Sequence, residues 1–370
     1  MRSSAAAEKS GEGMALKIRT KAKDIPPEMD TTFPRIELQP GYSISRVIKG
    51  GWQLAGGHGT VDEKQAIRDM WGFVEAGITT FDCADIYTGV EELIGKFIKE
   101  YKQVQIHTKY VPDLDELPRL NKAYTEKIID RSLMRLGVER LDMVQFHWWD
   151  YSIPFYVDAA YHLAKLQKAG KIRCIGVTNF DTPHLRELLD AGIPVTANQV
   201  QYSVLDHRPE GDLQQLAQKY NIVFLCYGTV GGGFLNARYL GITEFQDPPE
   251  NRSLLKYRLI IEEFGGMELF QEVLHTIARI ADKYDVGIAE IATQYILQKP
   301  CVGGVIIGAR NTNHLEKIKN LCFLTLDSED IEKIHAVIGK ARGPAGPVYS
   351  LERDRDGRHG EIMKYNLNKQ

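Results

Sequence analysis

From residue 46 onward, short apolar runs alternate eight times with longer segments whose apolar residues recur at helical spacing. No other feature narrows the fold as far. The runs at 46–51, 78–82, 104–109, 142–147, 172–177, 195–199, 222–227 and 302–308 read as strands. Each is followed by a helical pattern, at 62–77, 91–101, 121–136, 154–169, 181–190, 210–220, near 268–284 and at 312–319. In the first of these, Ile67, Met70, Trp71 and Val74 mark one face of a helix. Uninterrupted strand–helix alternation demands a parallel sheet, and eight units close it into a (β/α)8 TIM barrel of the α/β class.

The punctuation agrees with that count. Gly77, Gly137, Gly170 and Gly192 each stand after a helix and before a strand, where a left-handed C-terminal cap is wanted. Asp62 and Asp181 stand at helix starts as N-cap candidates. Ahead of the barrel, 35–38 and 42–48 flank the turn signal Gln39-Pro40-Gly41 and predict an N-terminal hairpin. The stretch 234–265 predicts a long loop over one mouth, and 328–340 an extra C-terminal helix. The expected divisions are a disordered arm at 1–31, the barrel at 32–342 and a polar tail at 343–370, whose segment 348–353 is expected to fold over the pocket.

Composition enters by exclusion. A formal net charge of -3 over 370 residues offers no basic face for nucleic acid. No apolar run reaches the length of a membrane span. The five cysteines are odd in number, far apart and without a CxxC pair, which fits free thiols in a reducing compartment rather than a disulfide framework. The expected location is the cytoplasm, although an arm at 1–23 rich in Ala, Ser, Lys and Arg leaves organelle targeting open.

In TIM barrels the chemistry sits at the C-terminal ends of the strands. Those positions hold Trp52, Asp82, Lys109, His147, Asn179, Gln199 and Tyr227, with Tyr87 in the loop after Asp82. Singly, each has an ordinary structural explanation; on one rim they call for a joint one. The segment Phe81-Asp82-Cys83-Ala84-Asp85-Ile86-Tyr87 resembles the aldo-keto reductase signature in which an Asp precedes a Tyr by five residues. Lys109 and His147 match the family's other two catalytic positions, and 168–180 and 197–203 resemble two further family segments.

The resemblance spans residues 46 to 321 and implies a reductase that moves a hydride between a nicotinamide cofactor and a small carbonyl substrate. Tyr87 is then the proton donor, Lys109 lowers its pKa, Asp82 holds Lys109, and His147 orients the carbonyl oxygen. It also implies a cofactor set: Gly51, Trp52, Asp82, Thr178, Asn179 and Gln199 at the nicotinamide, Tyr227 stacked on its ring, and Gly228, Gly308, Arg310 and His314 toward the phosphates. Two segments depart from the family pattern. The loop 227–233 is rich in Gly where the family has Tyr-Ser-Pro-Leu, and His314 stands where many relatives have Arg. Arg310 is left to meet a 2′-phosphate, so NADP is expected over NAD. Trp52 and Trp148 are the expected substrate-pocket residues, with Trp149 flanking. A cofactor-sensing subunit of the same fold is the competing reading. A metal-dependent hydrolase is poor, because His147 lacks ligand partners in sequence and Lys109 would repel a cation.

Overall fold

The computed structural model describes residues 33–55, 59–101, 103–246 and 248–368. The expected disordered arm and its targeting segment lie outside these residues. Eight parallel strands close into a barrel in the order Val302–Gly308, Val47–Gly50, Thr80–Asp82, Gln105–Tyr110, Leu141–His147, Ile172–Thr178, Val195–Gln201, Val223–Tyr227. Sequence order is kept around the ring, as short right-handed strand–helix–strand connections require. The fold is the (β/α)8 barrel expected from the alternation.

Two antiparallel strands, Arg35–Gln39 and Tyr42–Ser45, precede it as a hairpin. Tyr42 and Ile44 pack with Ile48, Met143, Cys174, Ala197, Leu225 and Ile306 in a buried cluster. Apolar side chains thus fill the inside of the barrel at the end that the hairpin covers. The larger core lies between strands and helices, with Phe73, Phe97, Ile129, Leu163, Leu188 and Ile277 fully buried.

Helix ends follow the local chemistry. Asp62 accepts from the Gln65 amide, Asn121 from Tyr124, and Asp181 from His184. Gly77, Gly137, Gly170 and Gly192 all have positive φ, as their places after helices demand. Gly95 has a different reason to be glycine. A Cβ there would lie 2.3 Å from the Arg135 carbonyl oxygen, so helix Val90–Glu100 meets the end of helix Lys122–Leu136 backbone to side-chain-free backbone. Gly95→Ala is expected to cost about 1–3 kcal/mol by forcing the helices apart. Urea unfolding checks this, and an unchanged midpoint would remove the packing argument.

One expectation is corrected. The stretch 234–265 is not all loop: Arg252–Phe264 is a helix capped by Asn251, with Tyr257, Leu259, Ile260, Ile261 and Phe264 buried. It runs into Gly266–Tyr284, and a further helix, Ile288–Leu297, precedes the last strand. That last helix is buried nearly all round, so it has no polar face to produce a helical stripe in sequence. The expected C-terminal helix is present as Ser328–Ile338. Among the described residues no helix is long and apolar enough to cross a membrane.

Candidate active site

A cavity of about 480 Å³ opens at the C-terminal ends of the strands. That size lies within the range of small-molecule sites. Asp82 and Lys109, the ends of two adjacent strands, meet at its floor with 2.6 Å between Lys109 Nζ and Asp82 Oδ2. Both side chains are 5% exposed, so water does little to screen the pair. Lys109 Nζ also donates to the Cys83 carbonyl at 2.9 Å and lies 5.0 Å from the centre of the Tyr87 ring. Burial opposes the charge on Lys109, but Asp82 and then Tyr87 outweigh it and raise its pKa.

Lys109 pulls the Tyr87 phenol pKa downward as expected, but burial raises it by more. The ammonium is in place, yet the net shift is upward, because desolvation of a phenolate costs more than one shared cation returns. The hydroxyl therefore carries its proton at neutral pH.

Asp82 has two more partners. Gln145 Nε2 donates to Asp82 Oδ1 at 2.8 Å, and Gln199 Nε2 donates to the same oxygen at 2.7 Å. Gln199 Nε2 also reaches Gln145 Oε1 at 2.7 Å. Gln145 was not among the residues singled out from sequence. Its signal is the strand period: it lies two residues before His147, hence on the same inward face.

His147 is neutral. Burial, then the Arg353 guanidinium, push its imidazole down to about 3. Its Nδ1 lies 3.0 Å from the Thr178 carbonyl, which only accepts, so the hydrogen is assigned to Nδ1 and Nε2 is left with a lone pair. That buried Nε2 and the buried Thr178 Oγ1, on two cavity-lining residues, have no hydrogen-bond partner among the described residues. The sign of the linkage follows. The folded value lies below the unfolded value near 6.5, so the contribution of neutral His147 to stability is complete above about pH 6.5 and falls as pH drops toward 3. Urea unfolding at pH 7 and pH 5 is expected to show lower stability at pH 5, with a smaller difference in His147→Gln. An equal difference in both proteins would sink this assignment.

Of the residues expected at the cofactor, Trp52, Asp82, Thr178, Asn179, Gln199, Tyr227, Gly228 and Gly308 line the cavity. Asn179 sits at φ 60, and its Oδ1 accepts from the Tyr227 hydroxyl at 3.0 Å. Gly51 does not line it. A Cβ at Gly51 would lie 2.8 Å from the Asp82 carbonyl oxygen, so this glycine lets the first strand's end pass close under Asp82. Arg310 and His314 lie outside the lining as well; Arg310 donates to the Thr60 carbonyl, and His314 is the N-cap of the short helix Leu315–Lys319.

The expected substrate residues divide. Trp52 lines the cavity with its ring 5.0 Å from that of Tyr87. Trp148 does not: it is fully buried, and its indole donates to the Asp150 and Ile153 carbonyls. Side chains leaving a strand alternate sides, so His147 and Trp149 face the cavity and Trp148 faces the outer helices. Trp149 packs edge-on to His147 at 4.5 Å and lines the wall.

Sequence reasoning also missed Lys256. It comes from the helix read as loop, lines the cavity, and pairs with Glu352 at 3.2 Å. The tail supplies much of the remaining wall through Tyr349, Ile362, Met363, Lys364 and Leu367. Among the described residues no group of His, Cys, Asp and Glu forms a metal site.

Comparison with known proteins identifies the family. The sequence model described as "Aldo/keto reductase family" matches residues 46–338. Aldo-keto reductase YhdN of Bacillus subtilis is 28% identical over 85% of this chain and 97% of its own. The NADH-specific methylglyoxal reductase of Escherichia coli is 29% identical over 78% of this chain and 93% of its own. The structure of the glycerol dehydrogenase AKR11B4 from Gluconobacter oxydans shares the fold, with a TM-score of 0.72, 24% identity, and coverage of 86% of this chain and 99% of that one. With a family match over most of its length and the rim residues gathered at one barrel mouth, the chain belongs to the aldo/keto reductase family.

Proposed function

We propose that the protein reduces an aldehyde or ketone to an alcohol with a nicotinamide cofactor, Tyr87 giving the proton. The observation that carries this reading is the Lys109 ammonium, fixed between the Asp82 carboxylate and the Tyr87 ring at the cavity floor. Hydride arrival leaves negative charge on the substrate oxygen, and a group there must neutralise it. Tyr87 is protonated and beside a fixed cation, so it gives up its hydrogen into a place where the resulting phenolate is stabilised. The neutral His147 offers a lone pair at Nε2, so it orients a hydroxyl, that of Tyr87 or of the product alcohol. This replaces the expectation that it orients the carbonyl oxygen itself.

The residues present suit a nicotinamide group, which when bound supplies the hydride. The Thr178 hydroxyl, without a partner among the described residues, and the Asn179 amide lie at one side of the cavity, with the Tyr227 ring beside them. Gln199, spent on Asp82 and Gln145 through its nitrogen, holds the carboxylate as well as bordering that space. Gly228 and Gly232 bring the loop after the seventh strand against Tyr257, where a Cβ on either would clash, and the phosphates are proposed to lie along this cavity-lining loop. NADP is proposed over NAD on the strength of Arg310, two residues beyond the cavity-lining Gly308; the printed names of one NADP(+) and one NADH-specific relative differ on the point. Trp52, Trp149, Tyr349, Met363 and Leu367 favour an apolar or aromatic carbonyl.

The test follows cofactor absorbance with NADPH and NADH over a panel of aldehydes and ketones. Turnover with at least one aromatic aldehyde is expected. Tight cofactor binding with no turnover across the panel would favour the sensing subunit instead. Arg310→Met is expected to raise KM for NADPH several-fold while leaving that for NADH unchanged; an equal effect on both would remove the 2′-phosphate role.

A further inference from the structure

The C-terminal segment enters the site beyond residue 338, where the family match ends. Its anchor is Glu352, whose carboxylate is fully buried between Arg208 at 3.1 Å and Lys256 at 3.2 Å. Burial alone would raise the Glu352 carboxyl, but Lys256 and Arg208 hold it well below the usual range. The anchor fixes its neighbour. Arg353 Nη2 reaches the Asn179 carbonyl at 2.8 Å, the Tyr151 hydroxyl at 2.9 Å and the Trp148 carbonyl at 3.2 Å. The guanidinium carbon lies 4.2 Å from the Tyr151 ring centre and 5.3 Å from that of Tyr349. Tyr349 in turn stands edge-on to His147 at 5.3 Å.

Asn179 is a residue that needs holding. It is not glycine, yet it occupies the left-handed region at φ 60, a conformation uncommon for residues with a Cβ and held here by its surroundings. Its amide N–H donates to the Gln199 carbonyl at 2.8 Å and its side-chain oxygen accepts from Tyr227. The carbonyl is the remaining handle, and Arg353 takes it with a charge-assisted bond.

We infer that Arg353 is a positioning residue of the hydride-transfer site, holding Asn179 so that its amide faces the nicotinamide carboxamide. This rests on the reading of Asn179 as the carboxamide-binding residue. Arg353 does not line the cavity; it acts through the peptide of Asn179 and through the loop that follows His147. Its Nη2 meets the three acceptors, Nη1 reaches the Val348 carbonyl at 3.4 Å, and the guanidinium lies over the Tyr151 ring; lysine, with one nitrogen and no planar face, reproduces only part of that pattern.

The experiment measures binding to the full-length protein by fluorescence quenching. Two probes are used: the reduced dinucleotide that binds more tightly, and the matching fragment that lacks nicotinamide. For Arg353→Met the inference expects about tenfold weaker binding of the whole dinucleotide and an unchanged fragment, with Arg353→Lys in between. Equal weakening of both probes would show a general loss of structure and overturn the inference, as would no weakening of either. Asn179→Ala separates the two levels of the argument. If Asn179→Ala fails to weaken the dinucleotide selectively, the carboxamide reading of Asn179 falls. If Asn179→Ala does so and Arg353→Met does not, only the role of Arg353 falls.

Discussion

Tyr87→Phe is expected to lower kcat for carbonyl reduction by roughly 10²–10⁴-fold, the usual worth of a positioned proton donor, with little change in cofactor affinity. The substitution removes one oxygen. The ring remains, with its contact to Trp52 at 5.0 Å and its place over Lys109, so the cavity wall keeps its shape. What is lost is the group able to meet negative charge on the substrate oxygen. Neutral His147 does not replace it, because its free nitrogen carries a lone pair rather than a hydrogen. Steady-state rates with an aldehyde substrate decide the matter, with cofactor binding measured in parallel. Equal rates in the two proteins would falsify the donor role of Tyr87.

The second large effect concerns Lys109→Met, which should damage activity and stability together. Asp82 is 4% exposed and accepts from Lys109, Gln145 and Gln199. Methionine fills the space of the lysine stem and leaves the carboxylate with two neutral donors and no cation. Breaking a buried ion pair at one partner costs about 3–5 kcal/mol, much of it from the charge left behind. Urea denaturation measures that loss. Asp82→Asn in the same background takes away the stranded charge and is expected to recover part of the stability but none of the rate. The rate falls because the phenolate left after proton transfer has lost its cation. A Lys109→Met protein as stable and active as the parent is the outcome this account does not survive.

The barrel was readable in advance because two periods govern it. A strand repeats every two residues and a helix every 3.6, and each unit carried its own punctuation, as at Asp62 and Gly137. The same strand period places Asp82, Lys109, His147 and Gln199 on one rim. It failed at Trp148, where two adjacent tryptophans were assigned by chemistry rather than by side, and the outward one was included. Helix Arg252–Phe264 was missed because its polar and apolar residues were read as part of a long surface crossing, and with it went Lys256. Lys256 and Glu352 are 96 positions apart in sequence and meet only through tertiary packing, so no local pattern announces the pair. Tyr87 illustrates a different limit. The neighbouring cation was legible, but the depth of burial that reverses the net shift depends on residues brought together from the whole rim.

The tail that walls the cavity has a consequence for how the site comes into being. Translation runs from the N-terminus, and Tyr349 and residues 362–367 follow all eight barrel strands in the chain. A nascent polypeptide that already holds Asp82, Tyr87, Lys109 and His147 still lacks one side of its binding chamber. The chamber is therefore completed only once this segment has been made and its Glu352 carboxylate has paired with Arg208 and Lys256.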